Sequence, residues 1–148
     1  MPLVVEKIEN GTVIDHIPAG MGLKVLEILK IDRNYGARVA LMMNVPSKKV
    51  GKKDIVKVEG KTLDEKAVNK IALVAPNATL NIIKNSNVVE KKIVQLPKEL
   101  RGAFKCPNPD CVTNLEPIET LFRMEKPEER RLRCGFCETM FEAKELIS

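Results

Sequence analysis

Four cysteines in two close pairs near the C-terminal end constrain this chain's fold more than any other feature. Cys106 and Cys111 enclose four residues, Cys134 and Cys137 enclose two, and 22 residues separate the pairs. Each pair can close a tight turn, a knuckle, that aims two thiolates at one point. Two knuckles brought together supply four sulfur ligands at tetrahedral geometry, the closed coordination of a structural Zn²⁺ with no position left for water. Pro107 and Pro109 are expected to stiffen the first knuckle and Gly135 to relax the second. Two disulfides, a redox Cys-x-x-Cys and an iron–sulfur cluster compete with this reading. The paired spacing and the expected compartment favour zinc, one structural ion per chain. The segment also needs a staple. Its core candidates are Phe104, Ile118, Leu121, Phe122, Leu132, Phe136, Met140 and Phe141, and a domain of about 50 residues is marginal without a metal or other cross-link.

The compartment follows from what the chain lacks. The start, Met1-Pro2-Leu3-Val4-Val5-Glu6, has no basic stretch leading into an apolar one. No run approaches the ~18–20 apolar residues that span a bilayer. A cytoplasmic protein with no membrane partner is expected.

The formal charge of +5 divides unevenly. Residues 1–100 carry 17 Lys/Arg against 11 Asp/Glu, a balance of +6, whereas residues 101–148 carry 8 against 9, a balance of −1. The seam Leu96-Pro97-Lys98-Glu99-Leu100-Arg101-Gly102 ends the apolar alternation before it. Two domains are predicted, residues 1–97 and 98–148. Aromatics make up only 3% of the chain, so the larger core must come from Val, Ile, Leu, Met and Ala.

Leu3–Ile8 and Thr12–Ile17 are rich in β-branched residues and flank Asn10-Gly11, a hairpin-turn pair. After Pro18-Ala19-Gly20 the period changes, and Met21, Val25, Ile28 and Leu29 fall on one helical face that Asn34-Tyr35-Gly36 should end. Arg38–Val45 reads as a buried strand stopped by Pro46, and Asp54–Glu59 alternates as another. Thr62-Leu63-Asp64-Glu65 reads as a capping box opening a helix with Leu63, Ala67, Ile71 and Val74 on one face, stopping before Pro76. Thr79–Ile83 and Val88–Val94 are two further strands. This order predicts an α+β fold: a mainly antiparallel sheet with two helices on one face, ferredoxin-like, followed by a small zinc-ribbon-like β domain.

Lys48, Lys49, Lys52, Lys53 and Lys57 lie within ten residues, with Asp54 the only acid among them. Strand alternation puts Lys53, Ile55 and Lys57 on one face, with the two lysines about 13 Å apart. That separation is comparable with the reach of a nucleoside triphosphate, and Lys91 adds a third cation if its strand lies alongside. The plain alternative is a solvated face. No Walker A sequence is present, and Gly20-Met21-Gly22 reads as loop punctuation. His16 is the only histidine, and on a regular strand Asp15 and His16 face opposite ways. No set of residues forms a nucleophile, base and oxyanion site, so the chain reads as non-enzymatic. In the ribbon, Arg130, Arg131 and Arg133 beside Glu128 and Glu129 read as a solvated strand face.

The run Gly11–Gly20, GTVIDHIPAG, resembles the signature of the aspartate carbamoyltransferase regulatory chain. Further matches are Asn44–Ser47, Gly51–Lys57, Ala75–Asn81 and the Cys106/Cys111/Cys134/Cys137 spacing, so the resemblance covers essentially the whole chain. It implies a non-catalytic allosteric subunit of pyrimidine biosynthesis. Such a subunit binds CTP or UTP as inhibitor and ATP as activator, pairs as a regulatory homodimer, and links catalytic trimers through a zinc domain that contacts the catalytic chain. Residue by residue it implies that Val5, Glu6 and Ile8 line a base pocket, Asp15 holds the ribose hydroxyls, and His16 and Lys91 reach the phosphates. Val13, Lys53, Lys57, Asn81, Ile83 and Val88 complete that site. Asn108, Asp110 and Glu138 match positions facing the catalytic chain, Asp110 standing where asparagine is common. Ser86 stands where the family often has an aromatic residue, which bears on discrimination between CTP and ATP. The rival is a zinc-ribbon nucleic-acid-binding protein. A module at −1 lacks the expected electrostatic footprint, so no DNA or RNA partner is expected.

Overall fold

The computed structural model describes residues 9–48 and 51–147, and the strand expected over Leu3–Ile8 lies outside them. The first region runs β1 (Gly11–Pro18), α1 (Gly22–Ile28), β2 (Val39–Ser47), β3 (Gly51–Glu59), α2 (Glu65–Val74), β4 (Thr79–Lys84) and β5 (Asn87–Ile93). Its strands form one antiparallel sheet in the order β2-β3-β1-β4-β5. A helix after β1 and another after β3 give the first four strands the ferredoxin-like split βαβ plan, extended by β5 at the β4 edge. Burial follows the strand period: Asp54, Val56 and Val58 of β3 are buried, and Lys53, Ile55 and Lys57 are not. Ile14, Ile17, Val56, Val58 and Leu80 meet Val25 and Leu29 beside α1 and Ile71, Ala72 and Val74 of α2 in one apolar cluster. Both helices therefore cover the same face, and among the described residues the opposite face carries none.

Several boundaries differ from the sequence expectation. The first helix ends at Ile28, because Lys30 turns to φ 58° and donates its N–H to the Glu27 carbonyl. Asn34-Tyr35-Gly36 lies in the connection that follows, where the Tyr35 hydroxyl donates to the Glu59 carbonyl. Strand β2 is not buried and does not stop at Pro46. Among the described residues it is an edge strand bonded only to β3, so a residue without an N–H costs it no ladder partner on the open side. The cap of α2 is Asp64 rather than Thr62: the Asp64 carboxylate accepts the Ala67 N–H at 2.8 Å. Asn85 and Ser86, at φ 51° and 65°, close β4 and β5 as a two-residue hairpin. Val94 leaves the β5 ladder to bond Ala78 and fill the core.

Asp54 organises the helix side of the sheet in a way the sequence did not announce. Its carboxylate is fully buried and accepts N–H groups from Gly20 at 3.0 Å, Gly22 at 2.8 Å and Asn44 at 3.0 Å. One side chain thus pins the β1–α1 turn, the first residue of α1 and the irregularity in β2. Gly22 is more than punctuation: a Cβ there would lie 2.5 Å from Leu41 Cδ1 and 3.0 Å from Asp54 Oδ2.

The second region holds β6 (Glu99–Arg101), α3 (Val112–Leu115), β7 (Leu121–Lys126), β8 (Arg131–Cys134), β9 (Met140–Glu142) and α4 (Ala143–Ile147). Its four strands form a separate antiparallel sheet in chain order. Leu100, Phe122, Leu132 and Phe141 cluster with three of the cysteines, and the rings of Phe122 and Phe141 meet edge-on at 6.5 Å. Phe136, expected in this core, stands 44% exposed on the outside of the second knuckle. Helix α2 belongs to both cores: Ile71, Ala72 and Val74 face the larger cluster and Leu73 enters the smaller one. The Arg130 guanidinium closes this joint, donating to the Leu73 carbonyl at 2.9 Å at the C-terminal end of α2.

Candidate functional site

The helix-free sheet face brings together most of the polar residues singled out from the sequence. Lys57 lies opposite Val13, Val13 opposite Asn81, and Asn81 opposite Lys91, a single row across β3, β1, β4 and β5. Three strand spacings of about 4.8 Å set Lys57 and Lys91 roughly 14 Å apart. In the neighbouring row Gly11 stands opposite Ile83, and Ile83 opposite Val88. A Cβ on Gly11 would sit 2.2 Å from the Val58 carbonyl oxygen, so the close approach of β1 to β3 requires glycine. Val5, Glu6, Ile8 and Lys49 lie outside the described residues. Asn10 and Glu9 bond the turns beside this face, Asn10 to Gly60 and Asn85, Glu9 to the Ser86 N–H.

A β-bulge corrects the expectation that Asp15 and His16 face apart. The register with β3 moves from Ile14 opposite Val56 to Ile17 opposite Asp54, so two residues of β1 stand against one of β3, with His16 at φ 59°. Ile14 and Ile17 both keep the core side, which leaves Asp15 and His16 to the open face. Lys53 Nζ lies 2.9 Å from one Asp15 carboxylate oxygen and 3.2 Å from the other. The His16 backbone N–H donates to the same carboxylate, and His16 Nδ1 lies 3.1 Å from Thr79 Oγ1. Burial alone would push the Asp15 carboxyl up, but the Lys53 ammonium and the His16 N–H hold it below its ordinary value. A cleft of about 880 Å³ opens beside this bulge, lined by His16, Gly51, Lys52, Asn77, Thr79 and Ile93 among others. Thr79 went unnoticed in the sequence because a strand threonine carries no signal until its cross-strand partner is known.

The four cysteines converge. Their sulfurs all lie within 4.8 Å of one another, with Cys106 and Cys137 at 3.8 Å and Cys111 and Cys134 at 3.8 Å. A tetrahedral ion with ligand bonds of ~2.3 Å holds its sulfurs about 3.8 Å apart, so the residues fit one metal ion. All four are free thiols, and the close contacts run between knuckles rather than within them. The first knuckle is braced by Asn114, whose side-chain amide donates to the carbonyls of Cys106 and Asn108. The left-handed residue of the second knuckle is Glu138 at φ 59°, not Gly135. Gly135 serves close approach instead: a Cβ there would lie 3.0 Å from Leu121 Cδ2.

Burial pushes the Cys106 and Cys134 thiols up. It acts the same way on Cys111 and Cys137, but hydroxyl and N–H groups of Thr113 and Thr139 bring Cys111 below its ordinary value and Cys137 down to about 6. The signal was in the sequence: each of these two cysteines is followed at the second position by threonine. Asn108 is half-buried and directs its side-chain oxygen to the Asp110 N–H, and Asp110 and Glu138 are exposed. The ribbon arginines are engaged locally: Arg130 with Leu73, Arg131 with Glu129 and Glu142, and Arg133 with Glu125. Among the described residues no helix is long and apolar enough to cross a membrane.

Comparison with known proteins agrees with this geometry in both halves. A family model described as the aspartate carbamoyltransferase regulatory chain, allosteric domain, matches residues 3–95, and one for that chain's metal binding domain matches residues 98–147. The chain is 54% identical over 147 residues to a curated aspartate carbamoyltransferase regulatory chain of Pyrococcus horikoshii, covering 99% of this chain and 97% of the relative. It is 51% identical to one of Thermococcus kodakarensis over 144 residues, covering 97% and 95%. It is 50% identical to one of Saccharolobus solfataricus over 146 residues, covering 98% and 92%.

Proposed function

The chain belongs to the family of aspartate carbamoyltransferase regulatory chains, and from that premise we propose that its helix-free sheet face binds the nucleotide effectors CTP, UTP and ATP. Its family domains are allosteric and metal-binding rather than catalytic. In the proposal, residues 1–97 form the nucleotide domain and residues 98–148 a docking domain closed on one zinc ion. The docking domain meets the catalytic chain through Asn108, Asp110 and Glu138 and links catalytic trimers, with two regulatory chains pairing as a homodimer in the cytoplasm. CTP and UTP inhibit and ATP activates.

The observation that carries the nucleotide reading is the row Lys57–Val13–Asn81–Lys91, with Asp15, His16 and Lys53 gathered by the bulge beside it. In a row of this span Lys91 offers a cation to an anionic group at one end, and Lys57 offers an N–H donor to the polar sugar or base at the other. Asp15, held ionised and aimed by Lys53, is an acceptor suited to ribose hydroxyls. His16 and Lys91 are the donors assigned to phosphate, and Lys53, Lys57, Asn81, Ile83, Val88 and Val13 complete the pocket. Val5, Glu6 and Ile8 are assigned to the base. The family's allosteric domain supports a ligand that is sensed rather than consumed.

Regulation then follows population-shift logic. A nucleotide shifts the assembly only by its differential affinity for the two quaternary states. Helix α2, shared by both cores, is the rigid element through which the sheet face can bias the docking domain. Zinc acts upstream, as the ion that shapes the docking surface. Four thiolates closed on one point leave no site for water or substrate, which supports a structural ion. The test is CTP titration of the zinc-loaded chain by calorimetry. Lys57→Met and Lys91→Met should each weaken binding at least tenfold with heat stability unchanged. Unaltered affinity in both variants would remove the sheet face as the site.

A further inference from the structure

A second cationic cavity lies on the helix side of the sheet, away from the proposed nucleotide face. It encloses about 540 Å³ between the end of α1 and the start of α2, and Lys30, Lys61, Lys66 and Lys70 line it together with Leu63 and Asp64. The four lysines come from three separate pieces of chain: the turn after α1, the β3–α2 connection, and two successive turns of α2. Lys66 and Lys70 are four apart on one helix, neighbours whose like charges repel. Compensation is sparse. The Asp64 carboxylate is committed to capping α2 through the Ala67 N–H, and Lys66 reaches Glu119 only at the rim, at 3.5 Å. Among the described residues Lys30, Lys61 and Lys70 have no ion-pair partner.

The wall is also fixed rather than fluid. The buried Thr12 hydroxyl donates to the Lys61 carbonyl at 2.7 Å, which holds the β3–α2 connection against β1. Lys61 and Lys70 are half-buried, their stems lying along the cavity wall while their charged heads keep contact with water. A solvated lysine face needs neither a concavity nor an anchored backbone.

We infer that this cavity is a second anion site of the chain, shaped for a compact, multiply charged phosphate and independent of the nucleotide face. Three or four ammonium groups around one concavity match the charge of a tri- or pyrophosphate, with lysine acting as a point-charge phosphate ligand. Leu63, beside the lysines, leaves less for a sugar edge to hydrogen-bond than the polar row of the opposite face offers.

Inorganic triphosphate is the probe, titrated calorimetrically into the zinc-loaded full chain at low ionic strength. Wild type should take two equivalents, one per face. Lys57→Met/Lys91→Met, which disables the nucleotide face, should keep one equivalent, and adding Lys61→Met/Lys70→Met should abolish it. Amide shifts in wild type give a second reading that needs no variant: Ala67 and Lys70 should move on addition of triphosphate. Loss of all binding in the nucleotide-face variant, or unmoved Ala67 and Lys70 amides, would overturn the site.

Discussion

Replacing Asp54 tests whether one buried carboxylate holds the helix side of the sheet together. In Asp54→Ala three N–H donors lose their acceptor. That of Gly22 is buried and cannot turn to water, which costs about 2–3 kcal/mol. Those of Gly20 and Asn44 belong to exposed residues that water reaches, at ~0.5–1.5 kcal/mol each. The sum is about 3–6 kcal/mol, a large share of the ~5–15 kcal/mol that stabilises a domain. Asp54→Asn keeps one oxygen, which can serve Gly20 and Gly22 but then turns its amide N–H₂ towards Asn44. Its cost should be intermediate, about 2 kcal/mol. Tyr35 is the only tyrosine, there is no tryptophan, and the Tyr35 hydroxyl bonds Glu59 in the same sheet. Tyrosine fluorescence in a urea titration with Zn²⁺ present therefore reports the larger domain alone. A shift of less than about 1 kcal/mol for Asp54→Ala, or equal losses for Ala and Asn, would refute the assignment of Asp54 as a three-way brace.

Chelating the metal should unfold the small domain and release the chain from its catalytic partner while the Tyr35 transition persists, a result readable by circular dichroism and sedimentation; retention of the complex after complete zinc removal would refute the docking role. Because four thiols must give up protons to bind the ion, metal affinity should fall as pH falls, measured by competition with a chelator, and a pH-independent affinity would contradict thiolate ligation. Asp15 has a folded-state pKa below its unfolded value, so its contribution to stability is present above the unfolded value and is lost as pH falls through the folded one. Lys53→Met should raise the Asp15 pKa, followed by carboxyl chemical shift, and an unmoved titration would show that Lys53 does not hold it.

The sequence carried the topology because its period switches are unambiguous where strands alternate with amphipathic helices, as from Met21 to Leu29 and from Leu63 to Val74. Edges were harder to read. Pro46 looks like a stop, yet it sits in an edge strand where no partner needs its N–H. Thr62 and Asp64 compete for one cap, and only backbone geometry decides for Asp64. The cysteine site was legible residue by residue, since the paired spacing favours convergence on one ion and the four sulfurs do meet, while the bulge at Asp15-His16 was not. A bulge depends on the register with β3, which a single strand's sequence does not encode. Alternation alone turns Asp54 to the face opposite Lys53 and Lys57, but the three N–H groups it accepts come from the β1–α1 turn, α1 and β2, which its own strand's sequence does not encode.

The central claim is that this chain senses nucleotides on behalf of an enzyme it does not itself contain. The most direct test is an aspartate saturation curve of the cognate catalytic subunit, assembled with this chain and Zn²⁺, with and without CTP and ATP. The account predicts that CTP raises and ATP lowers the aspartate concentration at half-saturation. A curve that neither nucleotide moves, despite a formed complex, would contradict it and reduce the chain to a scaffold.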